Sequence, residues 1–114
     1  MLPRYARLTS PNDFARTTKN GFRVSSKFLV VYLNPTMMNH PAQAGLIISK
    51  NVGGSVVRHN VARQIRHSLK EHLAALPVGT QVVVRALTGS AGKDLKKDLK
   101  SLMPRVLEKA MALK

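Results

Sequence analysis

Residues 53–73 read GGSVVRHNVARQIRHSLKEHL. At 100° per residue, Val57, Val61, Ile65, Ser68, Leu69, His72 and Leu76 share one helical face, the spacing of a core-packed amphipathic helix. His59, Arg63, Arg66 and Lys70 fall together within an arc of about 60° on that wheel. Arg58 lies at the edge of the apolar stripe and Asn60 on the far side from the Arg63 group. Ser55 can cap a helix that begins near Val56. Pro77 and Gly79 end it after about Ala75. On one side lies QAGLIIS (43–49) and on the other QVVVRAL (81–87), both apolar and strand-like. The centre of the chain is therefore a strand-helix-strand unit, with a loop at Gly53-Gly54 and a strongly basic helix.

Outward from this unit, Ser10 is a candidate N-cap, with Pro11 at the first helical position and Asp13 in the first turn. The short helix Pro11–Lys19 stops at Asn20-Gly21. Phe22–Asn34 has the β-branched and aromatic content of strand, divided near Ser25-Ser26. NPTMMNHPAQ is a loop. After TGSAG, Asp94–Leu113 has a helical pattern, with Pro104 predicting a kink or a break. The order is α-β-β-β-α-β-α in one domain over residues 1–114. The pattern predicts an α+β two-layer sandwich, helices packed on a four-stranded, mostly antiparallel sheet, with room for one parallel pair at the central unit.

Nineteen Lys and Arg face five Asp and Glu, a net charge of +14 on 114 residues. Such an excess costs self-repulsion that a polyanion relieves. Nucleic acid is the first candidate partner and an anionic membrane surface the second. No run reaches the 18 or so apolar residues of a membrane span. MLPRYARLTS lacks the apolar core of a signal peptide. With no Cys, disulfide and thiolate-metal frameworks are excluded, and a cytoplasmic location is expected. A solvated helix face normally mixes charge signs. Within 53–73 the only acid is Glu71, so the basic row reads as a surface that can track a phosphate backbone, with guanidinium forks to grip the phosphates.

The histidines fit no metal-ligand spacing, since His59, His67 and His72 are not four apart on one face. The carboxylates form no evident acid–base pair, and no serine sits in a nucleophile elbow. SKNVGGS joins a strand to a helix N-terminus but lacks the GxxxxGK[ST] pattern of a phosphate-binding loop. Phe14, Phe22, Phe28 and Tyr32 offer rings that could stack on unpaired bases or simply pack helix on sheet. Alternation places Phe28, Val30 and Tyr32 on one face of the strand.

SKNVGGSVVRHNVARQIRH closely resembles the signature segment of the bacterial ribonuclease P protein component. RLTSPNDFARTTKNGFRVSSKFLVVY looks like that family's amino-terminal stretch and QVVVRAL its last strand, so the resemblance spans about Arg7 to Leu102. It implies a left-handed βαβ crossover, a basic helix that docks on the catalytic RNA, a cleft between sheet and first helix that holds the single-stranded 5′ leader of precursor tRNA, and a metal-binding loop region. The expected RNA-facing residues are Lys50, Asn51, Arg58, His59, Asn60, Arg63, Arg66 and Lys70. Those of the leader cleft are Arg7, Phe14, Phe22, Phe28 and Tyr32. His59 and Asn60 stand where the motif commonly has Asn then Arg, Ala62 where Lys is frequent, and Thr18 where an aromatic is frequent. The resemblance implies no catalytic residue in the protein. Mg²⁺ would be bound mainly by RNA, and a monomer would form a 1:1 complex with ribonuclease P RNA and act on precursor tRNA. Residues capable of holding a metal on the protein itself are not identified. The rival readings are a small basic RNA-binding module of ribosomal or chaperone type, without a role in cleavage, and a membrane-surface protein.

Overall fold

A strand whose residues are all buried needs cover on both faces, and Leu29–Leu33 is such a run. The computed structural model, which describes residues 6–8, 10–37, 39 and 41–112, supplies that cover. Its elements are α1 (Pro11–Asn20), β1 (Phe22–Ser25), β2 (Leu29–Pro35), β3 (Gln43–Ile48), a 3-10 turn (Lys50–Val52), α2 (Ser55–Leu73), β4 (Thr80–Ala86) and α3 (Leu95–Ala112). The expected helix end at Leu113 and the loop positions Met38 and His40 lie outside the described residues.

The strands form one sheet in the order β1-β2-β4-β3. β1 and β2 pair antiparallel, as do β2 and β4, whereas β3 and β4 are parallel. The sheet is thus mixed rather than mostly antiparallel. The reason is the connection: β3 and β4 are joined through α2, and a helical crossover returns the chain in the same direction.

Strand parity sorts the side chains into two layers. Leu29, Val31 and Leu33 of β2, with Val82, Val84 and Ala86 of β4, pack against Val61, Ile65 and Leu69 of α2 and Leu99, Leu102 and Val106 of α3. Val30, Tyr32 and Val83 face the opposite side, where Leu8 and Phe14 cover them. The helices therefore lie on both faces, α2 and α3 on one and the short α1 on the other, in place of the two layers expected.

α1 starts with Pro11 after Ser10, whose side chain makes no capping bond, and closes with the Gly21 N–H donating to Thr17 O. It is held down by its buried face: Thr17 is fully buried, and Phe14 sits so close to Gly45 that a Cβ there would run into the ring. The β1–β2 turn is fastened by Ser26, whose Oγ accepts the N–H groups of Phe28 and Leu29 and donates to an Asp98 carboxylate oxygen on α3. Between β4 and α3, Gly89 and Gly92 take φ of 93° and 75°. Each is the third residue of a turn closed by Ser90 N–H to Leu87 O or Lys93 N–H to Ser90 O, a geometry that favours glycine.

α3 runs unbroken through Pro104, against the expected kink or break into two helices. Pro104 is exposed while Leu102, Met103 and Val106 beside it are buried. The Lys100 carbonyl that loses its partner lies one turn back on the same outer face, open to solvent, and core packing holds the rest of the helix.

Candidate nucleic-acid interface

The 3-10 turn Lys50–Val52 carries the chain from β3 into α2. Val52 is buried and anchors it, leaving Lys50 and Asn51 exposed. Gly54, not Ser55, occupies the N-cap of α2, and its carbonyl accepts the Arg58 N–H at 2.9 Å. The buried face of α2 comprises Val61, Ala62, Ile65, Ser68, Leu69 and Leu73. This differs from the expected stripe: Val57 is 38% exposed, while Ala62 and Leu73 turn inward. The Val57 side chain lies against Gly53 and not on the core cluster.

The basic residues divide accordingly. His59, Asn60, Arg63 and Lys70 are exposed, and Arg58 and Arg66 are half-buried. Arg58 lies across the open groove between α2 and β3, about 340 Å³, whose walls include Leu46, Ile48, His59, Ala62 and Arg66. Its Nε is shut off from solvent with no hydrogen-bond partner. A second depression of about 230 Å³ lies at the β3 edge between Arg7, Phe14, Gly45 and Arg66. Leu46 and Arg66 line both, so the groove on the α2 side and the depression on the α1 side meet at Arg66. Arg7 is exposed there, held by a parallel bridge to Ala44. Among the described residues the ion pair present is Arg16 with Asp13, at 3.7 Å within α1. Among the described residues no carboxylate pairs with the arginines of α2, so their charge is available to an external anion.

The aromatic residues do not gather as expected. Phe22 is in register with Leu33, so it faces the α2–α3 layer, and Phe28 packs there too. Phe28 precedes β2 in the Ser26 turn, off the pleat, so strand alternation does not govern it. Phe14 and Tyr32 do lie on the α1 side. Tyr32 is only 7% exposed, however, and Phe14 is wedged on Gly45. The residues that reach solvent around Tyr32 are Arg23 and Arg85, whose guanidinium carbons each lie 6.0 Å from its ring centroid. Neither was singled out from sequence. The available signal was parity: Arg23 follows Phe22 by one residue, and Arg85 alternates with Val83 and Gln81.

Among the described residues no three His, Asp or Glu side chains come together as a metal site. No helix among them is long and apolar enough to cross a membrane.

The ribonuclease P family model matches residues 2–110. The ribonuclease P protein component of Streptomyces bikiniensis is 41% identical over 118 residues, covering 94% of this chain and 96% of that protein. That of Rhodococcus opacus is 36% identical over 115 residues, covering 93% and 92%. Among solved structures, the RNase P protein of Staphylococcus aureus superposes with a TM-score of 0.73 at 25% identity, covering 92% of this chain and 94% of that one. The RNase P protein of Thermotoga maritima shares the fold with a TM-score of 0.62 at 22% identity, over 94% and 93%. With its sheet order, its basic α2 and these matches along nearly its whole length, the chain belongs to the family of bacterial ribonuclease P protein components.

Proposed function

We propose that the protein binds ribonuclease P RNA through α2 and the 5′ leader of precursor tRNA through the face beside α1, assisting the Mg²⁺-dependent hydrolysis that frees the mature 5′ end. The observation that carries the reading is the row of α2 cations that has no carboxylate partner among the described residues, on a chain of net charge +14. The protein's work is electrostatic and positional. Two polyanions must meet, and each phosphate that an Arg or Lys neutralises releases a condensed counterion and lowers the repulsion between them. The catalytic groups and the Mg²⁺ ligands belong to the RNA, and the protein acts in the cytoplasm as a monomer in a 1:1 complex.

Reconstitution tests the reading. With a bacterial ribonuclease P RNA at low Mg²⁺, the protein is expected to raise precursor-tRNA cleavage above that of RNA alone. RNA binding without stimulation would instead mark a basic RNA-binding module with no part in cleavage.

A further inference from the structure

The sheet face beside α1 has been given its aromatic residues, but the Tyr32 ring is not free to stack. Stacking needs an open π-face, whereas Tyr32 is 7% exposed; Phe14 is half-buried, with its ring tip at Gly45. What this face presents around Tyr32 is cationic. Arg23 stands directly across from Tyr32 on β1. Arg85 stands on β4 two residues beyond Val83, the partner of Tyr32 on its other side. Both arginines are exposed, and neither makes an ion pair among the described residues. Their guanidinium carbons lie at the same 6.0 Å from the ring centroid, at the reach of a cation–π contact. The Asp98 carboxylate, on the other side of the sheet, is already engaged by Ser26. The ring thus serves as a fixed post with a guanidinium on each side, each with a planar donor fork to offer.

A guanidinium fork fits a phosphate in two parallel hydrogen bonds, and phosphate is common to every nucleotide. We infer that Arg23 and Arg85, positioned by the Tyr32 ring between them, form a phosphate clamp that grips the sugar–phosphate backbone of a single-stranded leader whatever its bases. The inference rests on the reading that this face holds the leader, and it changes what is recognised there from base to backbone.

The test measures binding of precursor tRNA to the reconstituted holoenzyme with four probes: an unmodified leader, one with abasic sugars, one with neutral methylphosphonate links at the same positions, and leaderless tRNA. With the wild-type protein the methylphosphonate leader is expected to bind about tenfold more weakly than the unmodified one, and the abasic leader nearly as well. The R23Q/R85Q variant should lose a similar factor on the unmodified leader and nothing further on the methylphosphonate leader. Its salt slope for the unmodified leader should fall by about 0.7 for each single-strand phosphate contact removed. An abasic leader that binds more weakly than the methylphosphonate leader would overturn the clamp, as would a leader advantage unchanged in the variant. If the wild-type holoenzyme binds leaderless and unmodified substrates equally, the leader reading itself fails, and the clamp with it. The methylphosphonate comparison needs no variant, so the inference stays falsifiable if R23Q/R85Q does not fold.

Discussion

At the scale of single residues, two contacts give sharp expectations. Gly45 is where the Phe14 ring of α1 meets β3, and only a missing Cβ admits it. Gly45→Ala should cost about 1–3 kcal/mol, as overpacking does, and denaturant unfolding measures it. Burial lowers the pKa of His72 below the ordinary 6.5, Glu71 pulls it partly back, and Lys100 on α3 adds to the fall. The folded chain resists a proton that the unfolded chain accepts near 6.5. Stability is therefore full above that pH and declines as the pH drops through it toward the lowered folded value. Thermal melts from pH 8 to 5 should show this decline in the wild type and a flatter profile in His72→Gln; equal profiles would remove the assignment. His72 was read from sequence as part of the core stripe, and it is half-buried. Its weakness as a core residue is visible only once Lys100 is seen to face it.

At the scale of elements, the 3.6-residue period of α2 and the apolar runs of β3 and β4 were legible because their periodicity is long or uninterrupted. What escaped depended on parity across turns. A one-residue step puts Arg23 rather than Phe22 beside Tyr32, and the Ser26 turn takes Phe28 out of the alternation. The second covered face was legible in principle, since Leu29–Leu33 offers no polar alternation. α3 shows the opposite case, in which a strong local signal lost to packing. Because Pro104 faces solvent and its helix is continuous, Pro104→Ala should restore a backbone bond and raise stability by about 1 kcal/mol or more. A lower melting temperature in that variant would contradict this account of the helix.

At the scale of the whole molecule, charge governs. Nothing on the chain balances +14, so the folded state holds like charges together and gains from any multivalent anion that binds it. Sulfate should raise the melting temperature more than chloride at equal ionic strength, and circular dichroism reads both. The composition made this legible at once, along with the class of partner. It could not show which cations stand free: Arg63 and Lys70 reach solvent while Arg58 lies half-buried across the groove against β3, a division set by how α2 rolls on the sheet. The central claim is that the unpaired face of α2 docks on ribonuclease P RNA. The most direct measurement is the salt dependence of that association for wild type and for Arg63→Gln/Arg66→Gln. The account predicts weaker binding and a slope shallower by about 0.7–0.9 for each lost phosphate contact. An unchanged slope would contradict it.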